Sequence, residues 1–283
     1  MKEDSFSLKL FGGEVKVIIY NFKGEKEKLE KIMEKVETEA LRLQKIFNFY
    51  DEKSEISILN RERKMKVSGE LLDVLRKSIR ISELTNGNYD ASLGKKFLER
   101  KSKGNDINLK CSYKDVKILG NIVSLVNEDV LVDLGSIAKG SITDRLGEFL
   151  RKHGVREFLI DSRGDILVSG SLWHVFEIQH PRSMEKNIGK IKVRNCAVAT
   201  SGDYMQFHGD YKKSHIVNSG NVISVTVISD SLEEADAYAT AFFVSDKKTR
   251  EILANNKNVK ALVVFDDLSS EKYNRFEELM ENE

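Results

Sequence analysis

Residues 133–146 read DLGSIAKGSITDRL. Just before them Val130, Leu131 and Val132 form a short apolar run, and after them Leu146, Phe149 and Leu150 keep helical spacing until Gly154. The stretch therefore predicts a strand end that turns directly into a helix. Gly135, Ser136 and Ala138 are small enough to let a ligand approach the backbone. The incoming helix adds N–H groups that lack intrahelical partners, an arrangement suited to phosphate. Lys139 contributes a cation, and Asp133 is able to accept hydrogen bonds from a ligand hydroxyl or ring N–H. The same residues also suit a plain strand-to-helix turn with a solvated lysine. Neither G-x-x-x-x-G-K-[ST] nor G-x-G-x-x-G occurs.

Outward from this turn, the spacing predicts a strand over Glu14–Tyr20, a helix over Glu25–Phe47 and another over Glu70–Leu84 stopped by Gly87. Residues 102–127 are turn-rich and strand-like. Beyond Gly154, strands are predicted at Glu157–Ile160, Ile166–Val168, Trp173–Gln179, Lys190–Ala199 and Val222–Ser229. Helices at Leu232–Val244 and Lys248–Ala254 and a strand at Ala261–Phe265 follow. The charged tail, residues 269–283, reads as a surface helix or frayed end. There is no repeat and no Pro/Gly/Ser-rich linker. The expectation is one compact α+β domain over residues 1–283, with a mixed or antiparallel sheet, packed helices and room for two lobes.

The chain has 283 residues, with 46 basic against 45 acidic side chains, so no whole-chain charge favours nucleic acid or an anionic membrane. The N-terminus has no continuous apolar signal segment and no lipidation cysteine, and no stretch is apolar enough to span a bilayer, which predicts a cytoplasmic location without membrane insertion. Two cysteines, Cys111 and Cys196, lack any zinc-type spacing and read as reduced and structural.

Three further segments could carry chemistry. In EADAYAT (234–240), Asp236 and Thr240 stand four apart on one helix face, so a carboxylate and a hydroxyl could share a hard cation such as Mg²⁺, with small alanines around them. The same spacing also occurs in ordinary polar helix faces. ATSGDYMQFHGDYKKSHIVNSG (199–220) sets Thr200, Ser201, Gly202 and His215 among turn residues after a strand. In TNGNYDASLG (85–94), Asp90 could reach into a cleft or close an Asx-type turn.

Taken in order, these segments resemble the ApbE family of FAD:protein FMN transferases, and the resemblance spans nearly the whole chain. FGGEVKVIIY (11–20) is similar to the family's opening M-G-T and strand, and FYDEKSEISILN (49–60) to its aromatic segment leading to D-S-E-[IL]-S-x-L-N. TNGNYDASLG resembles T-x-G-x-[FY]-D-P-[ST]-x-G, and DLGSIAKGSITDRL is similar to D-L-G-G-I-A-K-G-x-x-[VT]-D. DSRGDI (161–166) resembles N-x-G-G-D-[IL], and ATSGDY (199–204) resembles A-T-S-G-[DS]-Y. HIVNSG (215–220) starts like H-I-[IL]-[DN]-P, and residues 224–244 resemble the closing S-V-T-V and A-D-A-x-[SA]-T-A.

The resemblance implies roles. Ser54, Glu55, Asp90, Asp133, Lys139 and the backbone at Phe11 and Ile216 would line a site for FAD as substrate. Asp236, Thr240 and the carbonyl of Ser136 would hold Mg²⁺. The implied reaction is attack by a threonine hydroxyl of an acceptor flavoprotein on the FMN-side phosphorus of FAD, with AMP leaving; Asp236 acts through the metal and His215 takes the proton. Hydrolysis of FAD to FMN and AMP, or flavin binding without catalysis, would use the same ligands. The chain departs from the family at Arg163, where a glycine is usual, in NSGN replacing D-P-x-T-G after His215, and mildly at Ser92.

Overall fold

The chain turns from Asp133 into a helix at Ala138–Lys152, where the 133–146 stretch predicts one. The computed structural model describes residues 2–103, 107–183, 185–203, 207–208, 210–214 and 220–281. In chain order they form β1 (Glu3–Leu10), β2 (Gly13–Tyr20), α1 (Lys26–Phe47), α2 (Glu55–Glu62), β3 (Lys64–Lys66), α3 (Gly69–Leu84) and α4 (Gly94–Lys103). Next come β4 (Val116–Leu119), β5 (Ile122–Leu125), α5 (the helix at Ala138–Lys152), β6 (Phe158–Ser162), β7 (Asp165–Ser169), β8 (His174–Gln179), β9 (Asn187–Val193) and β10 (Ala197–Gly202). The chain continues through β11 (Phe207–His208), β12 (Asp210–Ser214), β13 (Val222–Ser229), α6 (Leu232–Val244), α7 (Lys247–Leu253), β14 (Lys260–Phe265) and β15 (Ser270–Tyr273).

Eight strands make one sheet in the order β1-β2-β6-β7-β10-β13-β14-β15, and each pairing in it is antiparallel. The fold is α+β. β13 (VISVTVIS) is buried along its whole length because both faces of the sheet are covered. Val225 and Val227 join the core under the helices, whereas Ile223 and Ile228 join a second cluster with Ile178, Ile191 and Phe276 under the β8–β9 hairpin. Covered on both sides, the strand buries Ser224 and Thr226 as completely as the valines between them.

The helical layer is set by local signals. The stripe of Leu29, Ile32, Met33, Val36, Ala40 and Leu43 buries one face of α1. Gly87, with φ 84, ends α3 by donating to Ser82 O at 2.8 Å. Asp144 of α5 reaches the first turn of α6, accepting from Leu232 N at 2.9 Å and Glu233 N at 2.8 Å. Burial pushes the Asp144 carboxyl up to about 6.

Four expectations differ from the structure. The single strand predicted over Lys190–Ala199 is two, β9 and β10, separated at Asn195, whose φ of 45 redirects the chain from the hairpin into the main sheet. The tail is not a surface helix or frayed end: Ser270–Tyr273 is an edge strand on β14, and Phe276 beyond it is fully buried. β1 is an additional edge strand, in which Phe6, Leu8 and Leu10 alternate with exposed Ser5, Ser7 and Lys9. α2 and α4, at eight and ten residues, are short and bury few apolar groups. Both cysteines are free, and burial pushes their thiols up to about 11 for Cys111 and about 12 for Cys196, in keeping with structural roles. No helix among the described residues is long and apolar enough to cross a membrane.

Because Phe276 plugs the second core, Phe276→Ala should lower unfolding free energy by about 3 kcal/mol. Urea denaturation would read this, and a loss below 1 kcal/mol would show the tail to be dispensable.

Candidate functional site

The site forms where α5 and α6 cross. At Gly140 the helices touch so closely that an added Cβ would stand 2.2 Å from Leu232 O, so no other residue fits without moving a backbone. In a regular helix the Gly140 N–H would point to the Ser136 carbonyl four residues back. Here it donates to Asp236 Oδ2 at 3.1 Å, and among the described residues the Ser136 carbonyl receives no hydrogen bond. The Asp236 carboxylate and the Ser136 backbone are thereby brought to the same helix start.

Lys139 lies beside them and forms an ion pair with Asp165, the first residue of β7. Burial alone would lower the Lys139 ammonium's pKa, but the carboxylates of Asp165 and Asp236 outweigh it and raise it. Burial lifts the Asp236 carboxyl to about 7, against the pull of Lys139 and with help from Asp165. β10 ties the cluster together. Thr200 N donates to Asp165 Oδ1 at 3.2 Å, and the hydroxyls of Ser201 and Thr240 lie 3.1 Å apart. The turn after β10 is held by Asp203, which takes both arms of the Arg182 guanidinium at 2.7 Å.

Asp133 sits at the other side of the turn. Its Oδ1 accepts from Gly135 N at 2.9 Å, and burial raises its pKa. Residues 91–94 run alongside 131–133, with Leu131 N donating to Ser92 O at 3.0 Å and Asp133 N to Ala91 O at 2.9 Å. Asn60 clamps the same segment, exchanging two 2.8 Å bonds with the Val132 backbone. Ser136 Oγ donates to the buried Tyr89 hydroxyl at 2.9 Å.

The structure thus brings together Asp133, Ser136, Lys139, Asp236 and Thr240 of the expected set. The remaining expected residues are held in local bonds. Both Asp90 oxygens are engaged, one by Ser92 N and Oγ at 2.9 and 2.6 Å and the other by Tyr113 N at 2.8 Å. Ser54 caps α2 by accepting from Ser57 N at 3.2 Å, and Glu55 accepts from Ser68 N and Oγ at the start of α3. Phe11 N donates to Gln44 Oε1 at 2.9 Å and its carbonyl accepts from Arg163 Nη1 at 2.6 Å. His215 and Ile216 lie outside the described residues. Sequence reasoning missed Asp165, whose signal was the last acidic residue of DSRGDI, and Gly140, which stands next to the lysine in IAKG.

Among the described residues no cluster of three or more His, Cys, Asp or Glu side chains could hold a metal. What the site offers is one carboxylate, one hydroxyl and one free backbone carbonyl. Asp236 Oδ1 takes no donor among the described residues. These are hard oxygen donors, few enough to leave most positions to phosphate and water, and they fit Mg²⁺.

The segment before the turn is not the strand its apolar run predicts, since Leu131 makes only an isolated bridge to Leu93; the turn into α5 carries the half-buried Lys139 and faces a helical carboxylate across the Gly140 contact. The ApbE family's sequence pattern matches residues 11–263, and the chain belongs to the ApbE family. A Vibrio cholerae protein named FAD:protein FMN transferase is 25% identical over 246 residues, covering 76% of this chain and 73% of that one. The Haemophilus influenzae protein of the same name is 24% identical over 84% of this chain and 80% of its own length. The match to the Treponema pallidum protein of that name, 27% identical, spans about half of it, 52%. The fold matches the ApbE protein of Thermotoga maritima with a TM-score of 0.83 at 23% identity, over 99% of this chain and 100% of that one. It matches the flavin transferase ApbE of Vibrio cholerae at 0.80 and 21% identity, over 98% and 100%.

Because a metal binds the carboxylate and not the acid, Mg²⁺ affinity should fall about tenfold per pH unit below 7 and level off above about 8. In the metal-free chain the sign is opposite for stability. The native state holds the Asp236 proton more tightly between 3.8 and about 7, so this group's contribution declines as pH rises through that window. Calorimetric Mg²⁺ titration at several pH values checks the first, and a pH-independent affinity would contradict it.

Proposed function

We propose that this chain transfers FMN from FAD to a threonine hydroxyl of an acceptor flavoprotein, with Mg²⁺ as cofactor and AMP as leaving group. The observation that carries this reading is the Gly140 contact, which sets a buried helical carboxylate against a free backbone carbonyl beside Lys139. The family and the names of the relatives support the flavin-transfer class.

Asp236, Thr240 and the Ser136 carbonyl would hold the metal. When bound, Mg²⁺ supplies positive charge at the diphosphate, where negative charge builds as the bond to AMP breaks. Lys139, kept protonated by its two carboxylate neighbours, places a fixed cation at the same point without any proton transfer. Asp133, whose Oδ1 accepts from Gly135 N, would accept from a flavin or ribose donor through its other oxygen. Tyr89 and Asn60 orient the loop that carries these groups, so that the reacting phosphorus is held still for the incoming oxygen. His215 is the residue we assign to accept the threonine proton. The acceptor oxygen gains a bond to the FMN phosphorus, and the phosphoanhydride oxygen departs with AMP.

Incubation with FAD, Mg²⁺ and a threonine-bearing acceptor should yield an acceptor heavier by FMN in intact-mass spectra, with AMP in equal amount. AMP and free FMN without an adduct would point to hydrolysis, and neither product would remove both enzymatic readings. Asp236→Asn should lower turnover by at least about 10²-fold while leaving the metal-free fold as stable or more so, since it removes a buried charge without changing the shape. Wild-type rates in this variant would rule out the metal site as drawn.

A further inference from the structure

β6 and β7 are joined by a two-residue turn, Arg163-Gly164, between the paired residues Ser162 and Asp165. Both central residues have positive φ, 61 and 93, the geometry of a type I′ turn that favours Asn-Gly or Gly-Gly. Arg63 and Arg275 also adopt positive φ, so the conformation by itself marks no site; what matters is what holds the side chain of Arg163. Here the neighbouring hairpin holds it. Arg163 Nη1 donates to the carbonyl of Phe11, which itself begins a two-residue turn with φ 54. The side chain rests against Gly13, where an added Cβ would stand 2.9 Å from Nε and 3.0 Å from Cδ. A larger residue at position 13 would displace it.

Among the described residues Arg163 makes no ion pair and one side-chain hydrogen bond, so most of its N–H groups have no protein partner. It stands two residues from Asp165, whose carboxylate is already taken by Lys139, and close enough for its charge to oppose that of Lys139. Among the described residues the charge of Lys139 is thus balanced by an ion pair, while that of Arg163 is not. A site for a doubly charged diphosphate gains most from the unbalanced one.

We propose that Arg163 recognises the substrate of the Lys139–Asp236 site: the guanidinium edge that takes no partner among the described residues binds the diphosphate of the incoming flavin dinucleotide and so selects phosphorylated flavin over riboflavin. The inference rests on the flavin-transfer reading above. A guanidinium suits the task because its planar fork can bind two phosphate oxygens at once, and it stays charged at any working pH.

Arg163→Gly suits the positive φ of the turn, and Arg163→Asn is a second neutral replacement tolerated there, so both should fold with melting temperatures equal to or above that of the parent. Binding of FAD and of riboflavin to the full chain with Mg²⁺ would be followed by flavin fluorescence at low and high salt. The Kd for FAD should rise about tenfold in both variants, with a weaker salt dependence and a KM that rises more than kcat falls. Riboflavin binding should not change, and Arg163→Lys should recover part of the loss. An FAD Kd within twofold of the parent in both neutral variants, or equal weakening toward riboflavin, overturns the proposal while leaving the transfer reading standing. A parent chain that binds no FAD would instead remove that reading, and this proposal with it.

Discussion

The close contact between α5 and α6 at Gly140 is the constraint on which the rest of the structure depends. A methyl group there would overlap the Leu232 carbonyl, so the missing side chain is what lets the two helices approach. That approach gives the Gly140 N–H a carboxylate in place of a backbone carbonyl, and it frees the Ser136 carbonyl in the same step. The Asp144 carboxylate, bonded to the first N–H groups of α6, fixes the crossing from the other side. A packing detail in the helical layer therefore brings together oxygen atoms from two elements almost a hundred residues apart.

The electrostatics follow from burial. Two almost fully buried carboxylates, Asp165 and Asp236, share the site with one half-buried ammonium, and Lys139 is the group whose charge is best supported, because both face it. Asp236 is left with too little compensation, and burial lifts its carboxyl to about 7. The polar strand β10 matters here more than its sequence suggests. Thr200 fastens Asp165 through its backbone N–H, and the hydroxyl of the next residue, Ser201, meets that of Thr240. Nearby, two adjacent tight turns brace one another through the bond from Arg163 to the Phe11 carbonyl.

Much of this was legible along the chain. The stripe of α1, the glycine stop of α3, the helix that follows Asp133 and the strand at Val222–Ser229 all rest on local periodicity and turn chemistry, which neighbouring residues set among themselves. The motif order was enough to indicate the family, and the Asp236/Thr240 spacing was enough to place two oxygens on one helix face. The limits were equally physical. β1 and β15 are edge strands whose burial depends on partners elsewhere, and the split between β9 and β10 turns on one left-handed asparagine.

What the sequence determined by itself was the set of parts: which segments coil, which extend, and which residues have the chemistry for phosphate and a hard cation. What only the tertiary structure decided was how those residues are used. Ser54, Glu55 and Asp90 carry the right chemistry, yet helix starts and a tight turn claim their oxygens. Asp165 looked unremarkable until folding set it against Lys139. Local pattern depends on neighbours in the chain, whereas the availability of a polar atom depends on which distant donor reaches it first, and packing alone determines that.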